Sequence, residues 1–160
     1  CHCDCHCHCQ CHCHCHCHCH CHCHCHCHCH CHCHCHCQVL WPDHCIQGTI
    51  GSAFHKNLNT THADLIIRKG LNPFIDSYSA FFENDHTTAT GLHGYLTEKS
   101  VSKVTLAGLA TDYCVNFSAQ DAVKLGYETD VRIDLCRAID LNGSLDQARS
   151  DWNALGIGIS

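Results

Sequence analysis

The stretch 101-VSKVTLAGLATDYCVNFSAQDAVKLG-126 decides the fold. Residues 101–110 are apolar enough for a buried strand. From Thr111 the spacing turns helical. Val115, Ala119, Ala122 and Val123 fall on one face, and Gly126 is a natural stop. A strand feeding into a helix is the unit from which α/β domains are built. Cys114 falls in the first turn of that helix. There it faces backbone N–H groups without intrahelical partners and the positive end of the helix dipole, and both favour thiolate over thiol. The same N–H groups can hold the oxyanion that forms when a thiolate attacks a carbonyl. A lone cysteine so placed is more often a packed structural thiol; its surroundings carry the nucleophile reading.

Upstream, residues 64–69 predict a short strand through Leu65, Ile66 and Ile67 that ends at Lys69-Gly70. Asn72-Pro73 and Asp76-Ser77 mark a loop, and residues 78–82 predict a short helix. Residues 91–99 predict another, with Leu92, Tyr95 and Leu96 on its buried side. Val131, Ile133 and Leu135 alternate as in a strand. Asn142-Gly143 is a turn, Ser144 and Gln147 form a capping-box pattern for a helix to Leu155, Gly156 closes it, and residues 157–159 make a brief last strand. Alternation of strands and helices implies a parallel sheet with helices on its faces, whose reactive groups collect at the carboxyl ends of strands. Lys69 and Cys114 both stand at such ends in this reading.

Composition divides the chain in two. Cys occupies every odd position of residues 1–37, and His every even one except Asp4 and Gln10. Beyond that tract the only cysteines are Cys45, Cys114 and Cys136. The net charge of -6 gives no electrostatic footprint for nucleic acid or an anionic membrane. No apolar run is long enough to span a bilayer and no secretory leader pattern is present. Three scattered cysteines in the globular part point to a reducing, cytoplasmic setting. We therefore divide the chain into a low-complexity tract, 1–38, and a globular α/β part, 39–160.

In the tract, a period of two would place thiols on one strand face and imidazoles on the other. Thiolate and imidazole both suit zinc and copper(I). Zinc sites, however, separate their ligand pairs by spacers, and here every register is equivalent. The competing reading is a low-complexity segment with no selected structure.

Four stretches of residues 39–160 carry a family resemblance: VLWPDHCIQGTIGSAFH, IIRKGLNPFIDSYSAFFEND, VTLAGLATDYCVNFSAQDAVKLGYETDV and DLCRAIDLNGSLDQA. In that order they resemble the carboxy-terminal two-thirds of the nicotinamidases, isochorismatase-like cysteine hydrolases. The resemblance implies a three-layer, Rossmann-like parallel sheet flanked by helices. It is incomplete here, because the tract stands where the family has its amino-terminal strands. It implies Cys114 as nucleophile and Lys69 as catalytic lysine. It also implies a cis peptide between Leu109 and Ala110, and an oxyanion hole from the backbone N–H groups of Ala110 and Cys114. Trp41 and Tyr78 match aromatic positions near the substrate ring. His44 matches one ligand of a divalent metal (zinc, with iron or manganese as alternatives) that holds the substrate's pyridine nitrogen. The implied partner is a small-molecule amide, hydrolysed through a cysteine thioester.

The family draws an aspartate for proton transfer and two further metal ligands from the segment before WPDHC. Asp4 is the sole carboxylate in the tract and thus the candidate acid/base. The alternative is a non-catalytic member whose tract at most binds soft metal ions. Other residues carry plainer readings. His55, His62, His86 and His93 belong to loops or solvent faces. Cys45 and Cys136 read as packed thiols, Asp112 as a helix-start residue satisfying backbone N–H groups, and Arg137 as a loop pin.

Overall fold

The computed structural model describes residues 41–160. The tract, with Asp4, lies outside the described residues. The chain divides after His62 into two compact units. The described part of the first unit, residues 41–62, is irregular apart from one 3-10 turn, Ile50–Ser52.

The second unit holds the α/β architecture: α1 (Leu92–Glu98), β1 (Lys103–Leu109), α2 (Asn116–Lys124), β2 (Glu128–Arg137), α3 (Ser144–Leu155) and β3 (Gly158–Ile159). The strands form one parallel sheet in the order β1-β2-β3. Val115, Ala119, Val131, Ala148, Trp152 and Ile157 make the main core, joined by Leu106 and Ile133. A second cluster of Phe81, Ala122 and Tyr127 gathers Leu92, Leu96 and Val104. The helical face expected from the spacing is the one that is buried. Trp152, with no exposed surface, anchors the main cluster and donates its indole N–H to Asn116 Oδ1 at 2.8 Å. Alternate residues of β1 (Val104, Leu106) face these clusters, whereas Leu109 is 71% exposed.

The structure corrects the sequence reading in several places. Residues 64–69 form no strand, and Leu65 and Ile66 are exposed. An apolar run becomes a strand only where a neighbour completes its hydrogen-bond ladder, and no described strand pairs with this one. Residues 78–82 are not helical; Phe82 instead makes an isolated antiparallel bridge to Ala89. In β2 the alternation breaks. Val131 is fully buried, yet Leu135 is exposed and Cys136 is buried. The pairing with β1 jumps from Leu106↔Val131 to Gly108↔Cys136, and this irregularity reverses which parity points inward. The capping box does not form. Gly143 is the residue before α3, Ser144 Oγ donates to Asp112, and Gln147 donates to Asp151. Cys45 is exposed, not packed, whereas Cys136 is buried as expected. His93 is half-buried, with Nδ1 2.8 Å from the Tyr127 hydroxyl. No helix among the described residues is long and apolar enough to cross a membrane.

Candidate active site

β1 ends at Leu109, and a cis peptide joins it to Ala110. Ala110 is extended, and Thr111–Val115 then forms a wide π turn before α2. The Val115 amide donates to the Ala110 carbonyl at 3.0 Å, and the Tyr113 amide donates to the same oxygen at 3.2 Å. Such five-residue closures widen a helix start and recur at functional sites. The turn carries Cys114, a free and half-buried thiol.

Lys69 approaches this sulfur from a separate segment. Its Nζ lies 3.7 Å from Cys114 Sγ and also donates to the Ser77 carbonyl oxygen. The sequence expectation that Lys69 and Cys114 meet is thus met in space, although Lys69 rides on an irregular segment and not on a strand end. Among the described residues, no carboxylate is hydrogen-bonded to Lys69 Nζ or Cys114 Sγ.

Two groups tie the cysteine turn to residues 77–83. Ser118 Oγ donates to the Cys114 carbonyl at 2.5 Å and accepts from the Ala80 amide at 2.8 Å. Tyr78 packs edge-on against Tyr113 and Phe117, with ring centroids 5.7 and 5.2 Å apart. The aromatic position read from the sequence therefore lies beside the turn that bears the thiol. Ser118 escapes a reading of the sequence for reactive groups. Its signal lies in the spacing, since it stands four residues after Cys114 and so shares its helix face.

Asp112 is engaged by the segment that enters α3. Its carboxylate accepts the Ile139 amide (3.0 Å), the Asp140 amide (2.7 Å) and the Ser144 hydroxyl (2.5 Å). Burial alone pushes this carboxyl up, but the Ser144 hydroxyl and the two amides outweigh it and hold it below the ordinary carboxylate value. It satisfies backbone N–H groups as expected, but those of the segment entering α3 rather than of its own helix. Arg137 donates to the carbonyls of Asp134 and Cys136, bracing its own chain.

Trp41 and His44 belong to the first unit. His44 Nδ1 lies 2.7 Å from the Pro42 carbonyl, which leaves Nε2 as the nitrogen suited to a ligand bond. Among the described residues, no three His, Cys, Asp or Glu side chains gather closely enough to hold a metal ion.

Comparison with known proteins adds a family. Residues 35–150 match the model of the isochorismatase domain. A nicotinamidase from Acinetobacter baylyi is 52% identical over 120 residues, which are 75% of this chain and 56% of that protein. A nicotinamidase/pyrazinamidase structure from Acinetobacter baumanii superposes with a TM-score of 0.75 at 55% identity, covering 77% of this chain and 59% of that one. A structure from L. infantum in complex with nicotinate gives 0.72 at 36% identity, over 76% and 60% of the two chains. A pyrazinamidase from Pyrococcus horikoshii, in complex with zinc, gives 0.64 at 30% identity, over 76% and 63%. The chain spans little more than half the length of the relatives it matches.

Proposed function

The chain belongs to the isochorismatase family, and we propose that it hydrolyses nicotinamide to nicotinate and ammonia through a thioester on Cys114. The observation that carries this reading is the ammonium of Lys69 at 3.7 Å from the Cys114 sulfur, at the junction of β1 and α2. The thiolate is the nucleophilic form of a cysteine, and an ammonium at this distance is a natural ion-pair partner for it. The thiolate attacks the carboxamide carbon, and the oxygen takes up the negative charge. The backbone N–H groups of Ala110 and Cys114 receive that oxyanion in our reading. Collapse expels ammonia, which leaves with the proton given up by the thiol. Water then attacks the thioester, forming the carboxylic acid and returning a proton to the sulfur. Both halves need a proton carrier, and Asp4 is the candidate for it in this chain.

Tyr78 is proposed to bound the substrate ring; its place beside Tyr113 and Phe117 supports that role. Trp41 as a second ring contact rests on the resemblance. So does His44 as ligand to a divalent ion, zinc in first place, for which the zinc-bound pyrazinamidase gives the precedent. The His44 imidazole, with Nδ1 held by a carbonyl, has the form of a metal ligand, but one imidazole is short of a coordination shell. We propose the family's three-layer form for the complete domain, of which residues 39–160 are the carboxy-terminal part. The free thiols at Cys45, Cys114 and Cys136 fit a cytoplasmic setting.

The test is ammonia release from nicotinamide by the purified chain and by Cys114→Ala. Steady release by the wild type, abolished in the variant, is expected. If both are equally silent, the chain is instead a non-catalytic member of the family.

A further inference from the structure

The loop after Lys69 closes back on it at two points. Lys69 Nζ donates to the Ser77 carbonyl, and the Gly70 amide donates to Glu83 Oε1 at 3.3 Å. The two acceptors are braced against each other. The Asn84 amide donates to the Asp76 carbonyl (2.8 Å), Asn84 Oδ1 accepts the Tyr78 amide (2.9 Å), and the Glu83 amide donates to the Thr88 carbonyl (2.9 Å). Gly70 is left-handed, at φ +67°, where a side chain is strained. The lysine's backbone is therefore bent sharply just beyond its root, and the Glu83 carboxylate receives the amide at the bend.

Glu83 is only 9% exposed, and its second oxygen is buried without a hydrogen-bond partner among the described residues. A buried carboxylate with one oxygen unsatisfied destabilises a fold. Packing alone gives no reason for it here, but its position at the Lys69-Gly70 bend does.

We propose that Glu83 is a positioning residue for Lys69. By holding the Gly70 amide it fixes the root of the lysine, so that the ammonium rests between the Ser77 carbonyl and the Cys114 sulfur. A flexible four-carbon stem separates Nζ from the backbone, and an unanchored root would let the ammonium leave the sulfur for water. This inference rests on the reading of Cys114 as the nucleophile that Lys69 serves.

The test is the rate of iodoacetamide alkylation of the Cys114 peptide in the full chain, resolved by mass spectrometry from the other cysteines. At pH 7, Glu83→Ala is expected to slow alkylation about tenfold, while Glu83→Gln, which keeps an oxygen for the Gly70 amide, stays within about twofold. Lys69→Met is expected to slow it at least as much, and adding Glu83→Ala to Lys69→Met to slow it no further, because both act through one ammonium. A folded Glu83→Ala that alkylates at the wild-type rate overturns the proposal, as does full additivity with Lys69→Met. Where Glu83→Ala does not fold, Glu83→Asp serves, since it keeps the charge but withdraws the oxygen by one methylene. Slowing of that variant supports the proposal and a wild-type rate overturns it. Alkylation needs no nicotinamide, so the two readings fail separately. Slowed variants of a chain that releases no ammonia sink the amidase reading alone, and unchanged variants of an active chain sink the positioning role alone.

Discussion

Asp112 and Cys114 stand two residues apart in one turn and serve opposite ends. The thiol meets the Lys69 side chain. The carboxylate is spent on the Ile139 and Asp140 amides and the Ser144 hydroxyl, and locks the entry to α3 onto the turn. Because the folded state holds the Asp112 carboxyl below its unfolded value, its stabilisation is present above the unfolded value and fades as pH falls through the folded one. Asp112→Asn is expected to cost about 1–3 kcal/mol in urea unfolding at pH 7, and the gap from wild type to narrow steadily below about pH 4. A gap independent of pH would show that the charge does not matter. The Lys69–Cys114 meeting is legible in the motifs that contain them and in the rule that reactive groups collect at strand ends, although the strand that the rule assigned to Lys69 does not form. Ser77 and Glu83 are not legible. One acts through a backbone carbonyl that every residue possesses, and the other through an amide next to the residue of interest.

At the scale of elements, the patterns of the two longer helices translate into structure, whereas the short strand at 64–69 and the short helix at 78–82 do not form. The 3.6-residue spacing that runs from Val115 in the π turn through Ala119 and Ala122 of α2 marks the buried face, and Gly156 (φ +69°) closes α3 as its position suggests. Two non-local effects are out of reach. A strand at residues 64–69 depends on a partner that the run itself does not name. The inward parity of β2 depends on an irregularity in its pairing with β1, so that Cys136 and not Leu135 is buried. The capping box fails because Gly143 takes the N-cap position and Ser144 is already helical (φ -59°, ψ -28°), a one-residue shift that a four-residue pattern does not specify. Packing of α3 against α2 and the sheet rests on Trp152, which is fully buried and hydrogen-bonded to Asn116. Trp152→Ala is expected to lose about 3–5 kcal/mol by chemical denaturation. A loss below about 1 kcal/mol would mean that the indole's neighbours collapse into its space.

For the whole molecule, a family domain matched over residues 35–150 is joined to a Cys-His tract that no spacer organises. Repeats without spacers specify no particular site, so titration with zinc under reducing conditions is expected to give a broad spread of bound ions in native mass spectra. One sharp stoichiometry would contradict that. Attack of the Cys114 sulfur on a carboxamide would leave an acyl group on the protein, which quenching turnover of nicotinamide labelled in its carboxamide carbon and mapping the label would reveal. Acid-stable label on the Cys114 peptide, lost in Cys114→Ala, is expected. Ammonia release continuing in Cys114→Ala, or label on a different residue, would contradict attack by that sulfur.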